Sequence, residues 1–154
     1  MKVFISYGDA ADQVTALRLQ ALGAVNGLTV YVPPAYTRQG LATLLDPEAA
    51  QKLNDAEVVF GRRRSGLTEA CRLEVNAGMA LHKHMIVMSY PAFVPQLQPY
   101  FGPNLVEINP ASPDGAEIGI VQHLKTINAR QNAKNALLAL GTLALGLLIL
   151  APSD

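Results

Sequence analysis

The chain has 154 residues, with twelve Lys plus Arg against twelve Asp plus Glu, and half of its residues are hydrophobic. That describes one domain of ordinary size with enough apolar sequence for a core, and it excludes a disordered chain. A formal net charge of zero without a long basic run argues against a nucleic-acid binder, and the single cysteine, Cys71, excludes an intrachain disulfide framework.

Residues 2–7 (KVFISY) are β-rich and predict a first strand close to the first residue. A helix is expected over 9–22, with Val14, Leu17 and Ala21 on its apolar side and Gly23 as its stop signal. Residues 28–32 predict the second strand, closed by Pro33 and Pro34, and 33–46 read as a long loop. Pro47 suits the first turn of a short helix running to about Asn54, with Asp46 as its cap. The third strand is expected over 57–60, ending at Gly61, and a helix over 67–81, capped by Ser65 or Gly66. Strands four and five are expected at 85–90 and 104–109. The four prolines between them exclude a long regular helix there. Residues 115–129 predict the last helix of the globular part, so that 1–129 form the domain and 130–135 a linker.

The tail from Ala136 to Ala151 has sixteen residues, eight of them leucine, and no charge. As a helix it is about 24 Å long against a hydrocarbon core of roughly 30 Å. A soluble helix keeps one polar face, and this run has none. The expectation is a membrane span, a tail anchor with the domain in the cytosol, since Lys125, Arg130 and Lys134 precede the run and only Asp154 carries a charge after it. The alternative is an apolar helix buried between protomers.

Five strands alternating with helices imply an α/β fold, a flavodoxin-like, doubly wound parallel sheet of order 2-1-3-4-5. Its ligand crevice lies beyond the C-terminal ends of strands 1 and 3, where the winding reverses. That topology brings Ser6, Tyr7 and Gly8 together with the end of strand 3, at 61–64, and the start of the next helix. On that helix Leu67, Ala70, Cys71, Glu74, Ala77, Gly78 and Leu81 share one face. Every member is apolar or small except Glu74, which must find a partner or face a cavity. Arg62, Arg63, Arg64 and Arg72 are candidate partners within the segment. No Gly-x-Gly-x-x-Gly run follows strand 1, which argues against a Rossmann oxidoreductase. No His, Cys and carboxylate set has metal-ligand spacing, so no metal is expected.

Val3-Phe4-Ile5-Ser6-Tyr7, followed by Asp9 or Asp12, resembles the first box of the Toll/interleukin-1 receptor (TIR) domain family. Thr68 through Glu74 resembles that family's Ser-x-Trp-Cys-x-x-Glu segment, with Cys71 and Glu74 in matching spacing and Thr68 at the serine position. The resemblance covers roughly residues 1–129. It departs at Ala70, where the family carries an aromatic residue, and in the loop after strand 2, which lacks an acidic start; Tyr7, Tyr31 and Tyr36 are candidates for the missing stacking surface.

The resemblance implies an NAD+ glycohydrolase or ADP-ribosyl cyclase, an effector in immune or cell-suicide signalling, with Glu74 as the catalytic carboxylate and NAD+ as substrate rather than prosthetic group. Ser6, Tyr7, Gly8, Arg62, Thr68 and Cys71 are then expected to bind the nucleotide, with Arg62 meeting its phosphates. Self-association through like domains is implied as well. Two other readings stay open: a non-catalytic scaffold of the same fold, and an enzyme similar to nucleoside deoxyribosyltransferases, whose glutamate segment is loosely echoed by Ser65 through Glu74.

Overall fold

In the computed structural model, residues 1–8, 10–38, 44–63 and 68–150 are described, without the side chains of Arg38, Phe60, Arg62, Arg63, Pro113 and 137–150. The elements run β1 (Lys2–Tyr7), α1 (Ala10–Val25), β2 (Thr29–Tyr31), a 3-10 turn (Ala35–Arg38), α2 (Pro47–Asp55) and β3 (Val58–Arg63). They continue as α3 (Glu69–Ala80), β4 (His84–Ser89), α4 (Val94–Phe101), β5 (Leu105–Glu107) and α5 (Pro113–Leu150). Five strands form one sheet in the order β2-β1-β3-β4-β5, and every pairing is parallel. The expected fold class and strand order are therefore present, with β1 at the point of winding reversal.

β1 is buried from Val3 to Tyr7, as a strand covered on both faces must be. Alternation puts Phe4 and Ser6 on one face. On that side Phe4 joins Ala49 and Leu53 of α2, Val59 of β3 and Cys71 and Val75 of α3 in a single apolar cluster. Asp46 caps α2 as anticipated, its Oδ1 accepting from the Ala49 amide at 3.0 Å, with Pro47 in the first turn. The cap of α3 is Thr68 rather than Ser65 or Gly66. Its hydroxyl oxygen accepts from the Cys71 amide at 3.4 Å.

Two helix ends are set by local geometry. Gly23 does not stop α1, which runs on to Val25 and ends in a Schellman motif around Gly27, at φ 75°. There the Leu28 and Gly27 amides donate to the Gly23 and Ala24 carbonyls at 2.9 and 3.1 Å. Gly23 serves packing instead: a Cβ on it would lie 2.6 Å from Val30 Cγ2. α3 ends in the same way, with His82 at φ 52° and the Lys83 and His82 amides each donating at 3.0 Å to Gly78 and Met79. The proline-rich stretch holds α4, eight residues with Pro99 inside it.

The expected membrane span is not found: among the described residues no helix is long and apolar enough to cross a membrane. The apolar run is not a separate element, because 130–135 are helical too and α5 begins at Pro113, so the leucines follow turns carrying the exposed Lys125, Arg130 and Lys134. The run alone was already shorter than a hydrocarbon core. The tail side chains from 137 onward and residues 151–154 lie outside the described residues. Met1–Val121 forms one compact unit and the chain from Gln122 a second.

Two stability effects follow from the helix ends. Gly23→Ala gains up to about 1 kcal/mol of helix propensity. Pressing a Cβ into stiff, β-branched Val30 costs about 1–3 kcal/mol. A lower thermal midpoint is expected, and a higher one contradicts the contact. His82→Gly relieves a left-handed non-glycine residue and is expected to stabilise by about 0.5–1 kcal/mol in denaturant titration.

Candidate active site

The cavity at the C-terminal edge of the sheet lies between the segment that follows β2 and the first two turns of α3. Its volume is about 240 Å³, and Tyr36, Thr37, Leu45, Asp46, Leu73 and Glu74 are among its lining residues. Single-ligand pockets usually measure about 300–1,000 Å³, and the space formed by these residues is enough for a single ring.

Glu74 is 2% exposed and still reaches the cavity. Its Oε2 accepts a hydrogen bond from Ser6 Oγ at 2.6 Å, a length typical of a hydroxyl donating to a charged acceptor. Ser6 Oγ also lies 3.1 Å from Cys71 Sγ. The serine has one proton, and the carboxylate is the stronger acceptor. Arg72, one of the candidate partners, pairs with Glu69 on the exposed side of α3 and holds that carboxyl below its ordinary range, while Glu69 raises the arginine. Glu74 is thus directed by the end of β1, not by an arginine of its own helix.

The expected site residues separate into layers. Ser6 and Cys71 are 0% and 1% exposed and are not among the lining residues; Ser6 donates to Glu74, and Cys71 lies against Ser6. Thr68 is used as the cap that starts α3. Tyr7 is fully buried, and its hydroxyl donates to the Pro33 carbonyl at 2.8 Å, which ties the segment after β2 to the end of β1. Gly8 is buried at the same strand end. Arg62 is paired with Tyr7 in the β1–β3 register, and its side chain lies outside the described residues. Of the three tyrosines considered for a stacking surface, Tyr36 is the one that lines the cavity, and it is 70% exposed. Tyr31 packs its ring 5.5 Å from Phe4.

Sequence reasoning missed Asp46 as a lining residue, having assigned its side chain to the helix cap alone, and it missed Thr37, Leu45 and Leu73. The available signal was topological: the segment after β2 must pass over the same sheet edge as Glu74. The helical face also differs from the expected stripe, since Val75 is buried and Leu81 is 45% exposed.

Two of the carboxyl groups that line the cavity act on a tyrosine beside it. The Tyr31 phenol is pushed up to about 12, first by burial and then by Glu48, Asp46 and Glu74. Its oxygen is buried without a hydrogen-bond partner among the described residues. Another hollow, of about 490 Å³, opens at the opposite, N-terminal edge of the sheet beside His82, Lys83, His84 and Tyr100. No protein-family model matches the sequence, and no curated protein is significantly similar to it.

Because the folded state holds the Tyr31 proton more tightly than the unfolded chain does, its contribution to stability is complete below pH 10 and is lost as pH rises toward 12. Site-resolved NMR of Tyr31 is expected to show the protonated ring still dominant at about pH 11, beyond the ordinary tyrosine value. A midpoint near 10 contradicts the raised value.

Proposed function

We propose that the protein cleaves the nicotinamide–ribose bond of NAD+, with Glu74 as the catalytic residue, in a domain of the TIR type. The observation that carries this reading is a carboxyl group 2% exposed, gripped by Ser6 and lining a cavity at the switch point of a doubly wound sheet. The resemblance of residues 1–129 to the TIR family, in the first box and in Thr68–Glu74, points the same way.

The chemistry needs little more than that. As the C1′–N bond breaks, its electron pair goes to the ring nitrogen, so a cationic pyridinium leaves as neutral nicotinamide without an acid to protonate it. Positive charge develops on the ribose, and a fixed carboxylate stabilises it without reorganising. Water then bonds to C1′ and loses its proton to Glu74 or to solvent, giving ADP-ribose; attack by a group of the substrate itself gives a cyclic product. Ser6 keeps the carboxylate aimed through this sequence, and the 3-10 turn with Tyr36 closes the cavity's other side.

Incubating the purified full chain with NAD+ and measuring free nicotinamide tests the reading. Glu74→Gln preserves shape and is expected to slow release by about 100-fold or more, the usual cost of one well-placed electrostatic group. Ser6→Ala leaves the carboxyl in place but unsteadied, with an expected loss of roughly tenfold. A Gln variant at wild-type rate overturns the assignment, and no release by wild type at any protein concentration favours an assembly module instead.

A further inference from the structure

We infer that Asp46 is a specificity-determining residue of this cavity, which together with Glu74 makes it a receptor for a cationic planar ring, an N-alkylated pyridinium, over a neutral ring of the same shape. The inference rests on the reading of the cavity as the substrate site and goes beyond it by assigning selectivity to a residue that the catalytic step does not use.

Two carboxyl side chains, Glu74 and Asp46, line the cavity from different elements, α3 and the entrance to α2, and no cation lines it among the described residues. The remaining wall is largely apolar, from Leu44, Leu45, Ala70 and Leu73, with Tyr36 offering a ring face. Apolar walls displace water, and charge interactions strengthen where water is displaced. A neutral ring gains only contact area there, whereas a cationic ring also gains attraction to both carboxylates and to the face of Tyr36.

Asp46 is held for this role by its other duty. Its Oδ1 accepts from the Ala49 amide at 3.0 Å, which fixes the side chain and leaves Oδ2 outside the capping bond. The partial positive charge at the start of α2 offsets some of this charge. Glu48, in the first turn of the same helix, offsets that in turn. The resulting field is felt next door, where Asp46, Glu48 and Glu74 all oppose ionisation of the Tyr31 phenol. Lys52 stands 5.7 Å from the centre of the Tyr31 ring and is not among the lining residues.

The test uses the full chain and two small ligands, 1-methylnicotinamide, a pyridinium cation methylated on the ring nitrogen, and nicotinamide, which is neutral. Neither has a glycosidic bond, so binding is read without turnover. NMR titration of the wild type is expected to show the cation bound at least about fivefold more tightly, as one well-placed charge allows. Asp46→Asn keeps an equally good helix cap. It is expected to keep its thermal midpoint while losing most of the preference. Equal affinities in wild type, no binding of either ring, or a preference unchanged in Asp46→Asn overturns the inference. Release of nicotinamide from NAD+ by a wild type that binds both rings equally defeats the inference and spares the catalytic reading. A clear preference without NAD+ cleavage does the reverse.

Discussion

A carboxyl group taken out of water must be met by donors at a fixed place, and in this fold that place is the end of β1. Ser6 Oγ, 2.6 Å from Glu74 Oε2, joins the central strand to the helix that follows β3. The contact requires α3 to lie close on the sheet, and small residues permit it: a Cβ at Gly78 would approach Val59 Cγ2 to 3.3 Å. It also requires the helix to begin at the right turn, which the Thr68 cap sets, one turn before Cys71 and two before Glu74. Loss of the serine hydroxyl costs the buried carboxyl a donor, about 1–3 kcal/mol. The hydrogen bond thus serves the fold and the site together.

The two walls of the cavity are built differently. The α3 wall belongs to the apolar core, through Cys71 and Val75. The opposite wall is a segment carried by backbone-directed hydrogen bonds, with Tyr7 donating to the Pro33 carbonyl and Thr37 to the Pro34 carbonyl at 2.8 and 2.7 Å. Glu74 therefore sits on the wall that belongs to the core, and Tyr36 on the wall that these hydrogen bonds carry.

Much of the fold is legible in the sequence. Strand positions follow from β-branched runs, and their order follows from right-handed crossovers, so the switch point between β1 and β3 was predictable. Glu74 stood out because a charge on an apolar stripe demands a reason. What was illegible depended on contacts between distant segments. Gly23 reads as a helix stop in one dimension and is a packing contact with Val30 in three. Tyr7 reads as a lining residue at the switch point, but its hydroxyl is taken up by Pro33, and a side chain's direction at a strand end is not encoded locally. Asp46 has one obvious local use, as a cap, and that use hides its place on the cavity wall. The sixteen-residue tail reads as its own span because its composition changes abruptly, whereas α5 includes the start of that run and ends at Leu150.

Diffraction from crystals of the Glu74→Gln protein grown with NAD+ puts the central claim to the most direct test. The expected result is the nicotinamide ring in the cavity between α3 and the segment after β2, with the C1′ carbon of its ribose against the side chain of residue 74 and the Ser6 hydroxyl still bonded to that side chain. A dinucleotide seated elsewhere, such as the hollow beside His82 and His84 at the opposite edge of the sheet, contradicts it.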